Sequence, residues 1–432
     1  YSIARSGLLE SKDSGSVLVP ESTRLSNTRN VLVISLDGLQ GHVVAELLAD
    51  DVELATAFKD FTLFENAYSQ SPATEASMIG ELFGVYDYKE MGDSIEAVKA
   101  ELVARDIAGK SPLLAADDAF QNRYPFGADA GLGQSDAAAT ADSVEFLKFA
   151  LARVATRVAV DNSATSSVFS SLVDVFEEEG SDELAGRLRR HAGPDWDKRL
   201  ITEVYEYDAY TTQLSVSDKP LSYRYLHFAF THYPVDFDEH CEYRGDDRKW
   251  FAHSQNQAGL EKETQCALRK LREHLQKLQE LGIYDQSMVV FKSDHGHPTS
   301  YFEDYPYNLE INRHRRWGYS RYRPLLMLKP AGGIQNELVV RSELVLLNDL
   351  ARTICLHGAS ATGSCEDVPG RDLLDTEDTG DGYFLYVVPT RASSFTFETH
   401  ISVPVESRIV DPLEALAAAP SVALTERNSS KD

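Results

Sequence analysis

Two apolar runs dominate the pattern of hydrophobic and polar positions, and both stop in the same way. Asn30 to Leu36 reads Asn-Val-Leu-Val-Ile-Ser-Leu, and Ser287 to Phe291 reads Ser-Met-Val-Val-Phe. Near-continuous apolar runs of this kind predict strands buried on both faces, as in the middle of a parallel sheet. The first run ends at Asp37-Gly38. The second leads through Lys292-Ser293 to Asp294-His295-Gly296-His297. Gly296 lets the backbone turn away sharply after the acid and the imidazole.

The rest of the chain alternates between the two periods. Helical spacing covers His42 to Ala49, a second short stretch after it, and Glu75 to Phe83; a short strand falls near Phe61 to Phe64. Residues from Ser135 to about Glu178 are helical, with Phe146, Leu147, Leu151 and Val154 as core positions, and another helix runs from about Leu200 to Tyr210. Tyr223 to Phe230 reads as a strand ending at Thr231-His232-Tyr233-Pro234. Gly259 to Gly282 is an amphipathic helix, with Leu268, Leu271, Leu275 and Leu278 on one face and a glycine at its C-terminal cap. Pro324 to Lys329 is a strand, Glu343 to His357 a helix, and Tyr383 to Val388 and Ser394 to Val403 an antiparallel edge. The fold class expected is α/β, a doubly wound, mostly parallel sheet flanked by helices. A helical insertion (about 90–215) and a smaller antiparallel C-terminal part (376–432) are added to a main domain at 29–375, after a polar linker at 1–28.

Charge narrows the partners. Acidic residues outnumber basic ones, for a formal net charge of −26 at pH 7. A surface that negative argues against nucleic acid or a bare anionic membrane as the main partner. It leaves room for an anionic substrate, because a metal and a few arginines reverse the local field. The four cysteines form no C-x-x-C pair, which speaks against a structural zinc site. Cys355 with Cys365, and Cys241 with Cys266, are spacings compatible with disulfides; four buried thiols in a cytosolic enzyme is the alternative. No stretch is apolar and long enough to span a bilayer, and no signal peptide is visible.

Candidate chemistry collects at the ends of the strands. Asp37-Gly38 alone is a common turn, but the later strand ends in an acid too. Thr74 sits at the start of a helix, where a threonine caps well; the same place suits an alkoxide or a phosphate ester, facing the positive end of the helix dipole. His232 follows a third strand, where a lone histidine is often structural. Asp236, Asp238 and His240 are candidates for a second metal cluster, or simply a polar surface loop. Five arginines fall in the eleven residues from Arg313 to Arg323. They are either a loop paired with the acidic surface or a clamp for phosphate oxygens.

The ordered set of these pieces resembles the alkaline phosphatase/sulfatase superfamily, most of all the branch of lipoteichoic acid synthase and the phosphoethanolamine transferases. The pieces are Val-Ile-Ser-Leu-Asp37, Ser-Pro-Ala-Thr74-Glu-Ala-Ser, Thr-His232-Tyr-Pro and Ser-Asp294-His295-Gly. A fifth runs from Leu347 to Thr353 and is followed by Pro369-Gly370-Arg371-Asp372-Leu373. The match extends from Asn30 to about Asp372, except across the insertion.

The resemblance implies that Asp37, Asp294, His295 and Thr74 hold one divalent metal, Zn or Mn, with a second metal as an option. It implies Thr74 as nucleophile and His232 as the group that binds the transferred phosphoryl or protonates the leaving oxygen. His297, His314 and Arg316 are the further substrate-binding candidates. Where the family usually continues Asp-His-Gly with Glu, this chain has His297. The implied activity is transfer of a phosphate-linked group, of phosphoglycerol or phosphoethanolamine type, through a phosphothreonine. The donor is a phospholipid or another phosphate ester, and the acceptor is an envelope glycan or lipid. A phosphodiesterase, phosphatase or sulfatase-like hydrolase of the same fold and a non-catalytic binding relative are the alternatives. The formylglycine route to sulfate esters needs Cys or Ser in place of Thr74. The resemblance also implies a periplasmic or extracellular site of action, behind a membrane tether upstream of Tyr1.

Overall fold

A computed structural model of the chain describes residues 23–71, 74–83, 204, 207–245, 247–297, 319–359, 365–366, 368–375, 383–387 and 399–403. In chain order the elements begin with β1 (Arg24–Ser26), β2 (Asn30–Leu36), α1 (Gly41–Asp50), α2 (Val52–Ala57), β3 (Thr62–Phe64), β4 (Ala67–Tyr68) and α3 (Thr74–Phe83). Then come β5 (Ser215–Ser217), β6 (Ser222–Phe228), α4 (Arg248–Ser254), α5 (Gln257–Glu280) and β7 (Ser287–Lys292). The last group is β8 (Leu326–Lys329), β9 (Val339–Arg341), β10 (Val345–Leu346), α6 (Leu350–Ile354), β11 (Tyr383–Val387) and β12 (Thr399–Val403).

Six strands form the main sheet in the order β6-β2-β7-β8-β3-β9. β2 pairs in parallel with β6 on one side and β7 on the other, and β3 pairs in parallel with β9. β8 runs antiparallel to both its neighbours, β7 and β3. The sheet is thus mixed with mostly parallel pairing, and helices flank it. All residues of β2, β6 and β7 are buried, which is why their sequences lack the polar alternation of a strand with one wet face.

The long helix α5 explains how β6 is joined to β7. Its buried face carries Leu260, Leu268, Leu271, Leu275 and Leu278, and a leucine buried this way contributes roughly 1.5–3 kcal/mol. Asn256 caps its start by accepting from Gly259 N at 3.0 Å. Past its end Gly282 takes φ +69, and Ile283 N bonds back to Leu278 O at 3.0 Å. That left-handed turn is open to glycine at little strain.

Several expectations shift. Arg24–Ser26, expected in the linker, is a strand paired in parallel with Ser215–Ser217. The helix expected from Glu343 begins only at Leu350. Val345–Leu346 instead pairs with Ala67–Tyr68, and Asp349 Oδ2 accepts from Leu346 N at 3.1 Å, closing a 3-10 turn. The fifth motif piece is a brace: Asn348 Nδ2 donates to Gln70 Oε1 at 2.6 Å, and Arg371 Nε lies 3.3 Å from Asp349 Oδ2. β11 and β12 pair with each other as a hairpin. The helix expected over 135–178 lies outside the described residues. Both disulfides form, Cys241–Cys266 and Cys355–Cys365. Among the described residues no helix is long and apolar enough to cross a membrane.

Candidate active site

β2, β6 and β7 point the same way, so their carboxyl ends share one edge of the sheet, where crevices form in α/β folds. Asp37 follows β2 directly, His232 follows β6 by four residues, and Asp294 and His295 follow β7. Asp37 N bonds to Phe228 O at 2.8 Å, and Thr231 Oγ1 donates to the Asp37 carbonyl at 2.7 Å. Gly38 then turns with φ +72, and its N–H donates to Asp294 Oδ1 at 3.3 Å. A side chain there would be strained by the left-handed backbone.

The two carboxylates and the imidazole converge. His295 Nε2 lies 3.6 Å from Asp37 Oδ1 and 3.4 Å from Asp294 Oδ2. All three residues are buried. His295 Nδ1–H donates to the Gly296 carbonyl at 2.9 Å, which leaves the Nε2 lone pair facing the carboxylates. Burial and the Arg321 guanidinium push the pKa of His295 down to about 4. Burial by itself would raise Asp37. His232, the hydrogen bond from His227 and His295 outweigh it and hold the carboxyl well below its usual range.

Thr74 comes to this point at the start of α3. Its Oγ1 is 3.2 Å from His295 Nε2. Thr74, Ser77 and Glu81 follow at three- and four-residue spacing, so they share one face of the helix. Ser77 Oγ donates to the Asp294 carbonyl at 2.5 Å, and Glu81 Oε2 meets Lys292 Nζ at 2.5 Å. That face is therefore fastened to β7 at two successive turns below Thr74. Burial raises the pKa of Glu81, with Lys292 and the Tyr225 hydroxyl at 3.0 Å acting against it.

The segment carrying His232 is held from α5. The buried Glu263 Oε1 accepts from Asp236 N at 2.9 Å and Phe237 N at 3.3 Å, and the Cys241–Cys266 disulfide ties the same segment to the same helix. His232 Nδ1–H donates to the Tyr233 carbonyl at 2.6 Å, so Nε2 is its acceptor face. His297 is buried nearby, with its ring edge-on to Tyr233 at 5.5 Å and its backbone N–H on Gln40 Oε1 at 2.7 Å. Burial, then Arg321, His232 and His295, hold its pKa well below the usual value.

Not every candidate joins. Asp238 is used within its own loop, accepting from His240 N and Glu242 N and pairing with Arg244 at 3.3 Å, while the His240 side chain is exposed. Asp236, Asp238 and His240 are not among the residues that gather as a metal-binding trio. His314 and Arg316 lie outside the described residues.

Two further residues are present, His227, which sequence reasoning passed over, and Arg321, one of the five arginines it took as a possible phosphate clamp. His227, inside β6 and level with Ser35 of β2, places Nε2 3.4 Å from Asp37 Oδ2 and Nδ1 2.9 Å from Ser35 Oγ. Asp37, His227 and Asp294 each offer a ligand atom within 4.8 Å of the others. Arg321, on the 3-10 turn Tyr319–Tyr322, places Nη2 3.0 Å from His295 Nε2.

These groups suit a divalent cation. Asp37 Oδ1 and Asp294 Oδ2 are buried and accept no hydrogen bond from the described residues. Two buried carboxylates left so are costly unless a cation offsets them. A donor set of carboxylate oxygen, imidazole nitrogen and hydroxyl suits Zn or Mn.

No family model matches the chain, and no curated protein matches it. Solved structures similar to it include the phosphonate monoester hydrolase of Agrobacterium radiobacter, at 11% identity and TM-score 0.44, over 84% of this chain and 81% of that one. The C-terminal periplasmic domain of EcEptC from Escherichia coli is similar at 10% identity and TM-score 0.40, over 87% and 96%. The lipoteichoic acid synthase LtaP from Listeria monocytogenes is similar at 11% identity and TM-score 0.39, over 88% and 86%. At these values the likenesses say nothing of what this chain does, and its chemistry is read from the residues above.

Proposed function

We propose that this chain is a metal-dependent transferase of the alkaline phosphatase/sulfatase superfamily, moving a phosphate-linked group through a phosphothreonine at Thr74. One observation carries the reading. A threonine hydroxyl at a helix N-terminus stands 3.2 Å from a histidine nitrogen that two buried carboxylate oxygens, accepting no hydrogen bond from the described residues, also face. Asp37, Asp294, His295 and Thr74 would hold the ion, with His227 as a further donor or as the residue that orients Asp37. When bound, the ion would lower the pKa of the threonine hydroxyl and offset charge on a phosphoryl oxygen.

The residues then divide the work. Thr74 Oγ1 attacks phosphorus, its bond to phosphorus forms, and the bond from phosphorus to the donor alcohol breaks. The proton lost by Thr74 ends on the departing alcohol, and His232 would relay it. The start of α3 favours the anionic ester. In the second half an acceptor hydroxyl attacks the phosphothreonine, its proton returns to Thr74 Oγ1, and the threonine is regenerated.

Two disulfides support an extracytoplasmic place of work, since such bonds persist in oxidising compartments. In that setting a phospholipid headgroup is the fitting donor and an envelope glycan or lipid the fitting acceptor. The domain reading follows: 29–375 as the catalytic unit, with the insertion at about 90–215 setting specificity.

Water as acceptor makes the same site a phosphodiesterase or phosphatase. His227 gives this second reading its observation, as a further ligand beside Asp37 and Asp294 that the transferase reading does not need. Metal content separates them: one ion per chain favours transfer, two favour hydrolysis.

The test is mass spectrometry of the full chain, incubated with Mn or Zn and vesicles of phosphatidylglycerol or phosphatidylethanolamine. One added headgroup phosphate on the Thr74 peptide is expected, and none in Thr74→Ala. An adduct that survives that substitution refutes Thr74 as nucleophile. No adduct and no turnover with any phosphate ester favours the non-catalytic alternative.

A further inference from the structure

His295 offers one lone pair to the site, and a cation of the protein's own already reaches it. With Nδ1–H on the Gly296 carbonyl, Nε2 can only accept. Arg321 Nη2 lies 3.0 Å from it. A guanidinium neither accepts a hydrogen bond nor loses its charge. Arg321 therefore donates into the electron pair that a metal ion would use.

Its placement is built into the fold. Arg321 is 8% exposed, and its backbone is stitched to the segment after β7. Gly296 N donates to Arg321 O at 2.8 Å, and Ser320 Oγ donates to His297 O at 3.0 Å. The buried Gln40 amide spans both sides of this seam, donating from Nε2 to Ser320 O at 2.9 Å and accepting at Oε1 from His297 N at 2.7 Å. A Cβ on Gly296 would stand 2.1 Å from Ser320 O, so only glycine allows the two segments to lie this close. The backbone of Arg321 is fixed, and its long side chain is the part that can move.

We propose that Arg321 and the metal ion occupy His295 Nε2 in turn: Arg321 holds the site in the ion-free protein, and the ion displaces its guanidinium to bind the transferred phosphoryl's oxygens. Before loading, the guanidinium holds the lone pair of His295. After loading, ion and guanidinium repel, and a phosphate between them gives both a counter-charge with fork geometry for Arg321. This rests on the ion-binding part of the proposed function and adds a competition within it.

The experiment is calorimetry on the full, chelator-stripped chain, titrated first with Mn and then, once saturated, with inorganic phosphate. Arg321→Met should bind Mn about tenfold more tightly than the parent, since a competing buried charge is gone. The loaded variant should bind phosphate about tenfold more weakly, having lost a charge-assisted pair. Should Arg321→Met fail to fold by thermal melting, Arg321→Gln serves: it removes the charge but keeps a polar side chain, so Mn binding should still tighten and phosphate binding weaken. Mn affinity no higher than the parent's in the folded variant overturns the proposal. If neither Mn nor Zn binds the parent or the variant, the metal site itself is wrong. Equal ion binding in both leaves the metal site standing and removes only the role of Arg321.

Discussion

Thr74 Oγ1 and His295 Nε2, 221 residues apart in the chain, lie 3.2 Å apart in space. The hydroxyl starts a helix, and the imidazole follows β7 by three residues, its ring held by the Gly296 carbonyl. The first prediction follows. Thr74→Val keeps the shape of the side chain and removes the attacking oxygen, so turnover of a chromogenic phosphodiester should fall about a thousandfold or more. Thr74→Ser should retain a measurable part of it. Equal activity in the valine variant would mean another nucleophile.

Stripping the ion should destabilise the protein, because Asp37 and Asp294 each keep an oxygen without a hydrogen bond from the described residues. An ion at a hundred times its dissociation constant adds about 2.7 kcal/mol of stability. Chelator should therefore lower the melting temperature by several degrees, and re-added Mn or Zn should restore it. In Asp294→Asn the shift should vanish.

The pair Lys292–Glu81 is fully buried at 2.5 Å. Lys292→Met alone strands a buried carboxylate and should cost about 3–5 kcal/mol in urea unfolding. Lys292→Met with Glu81→Leu should recover most of that loss. A double variant as unstable as the single one would show that the pair does more than neutralise itself.

Two buried histidines set an acid limit. Burial holds His274 down to about 3, and burial with the Arg323 charge holds His42 down to about 3. In the unfolded chain both rings take up protons near their ordinary pKa, around 6.5, while in the folded chain they stay neutral. Below that pH the unfolded state binds more protons, so stability should drop as pH falls from about 6.5 towards 3, by at most about 1.4 kcal/mol per pH unit per ring. Denaturation midpoints at several pH values measure this. His274→Phe, which keeps the stack on Tyr210, should show a shallower decline.

Several residues of the candidate site were legible because they stand where an apolar period breaks. Asp37 and Asp294-His295 end all-buried strands, and Thr74 begins a helix. His227 gave no such signal. It lies inside β6, all of whose residues are buried, and its place beside Asp37 depends on standing level with Ser35, a register no local pattern announces. Arg321 was one of five neighbouring arginines, and what distinguishes it is the Gln40 seam. Its neighbour Arg323 is spent on structure, donating to Glu65 O and Asn66 Oδ1. The run at Val345–Leu346 looked helical from composition, but pairing with β4 decided it, a tertiary choice that propensity does not reveal. The cysteine spacing allowed both disulfides without settling them; geometry does, with Cα atoms 5.0 Å and 5.9 Å apart.

The central place of β2 bears on how the protein is made. Its partners lie far downstream: Ser35 meets His227 across 192 residues, and Asn30 meets Ser287 across 257. A chain emerging from the ribosome must carry this seven-residue strand with both edges bare until β6 is made, and with one edge bare until β7 follows. Such distant pairings form slowly. Synthesis in cells should therefore lean on chaperones that shield Asn30–Leu36, and the nascent chain should be most prone to clump before β7 has left the exit tunnel.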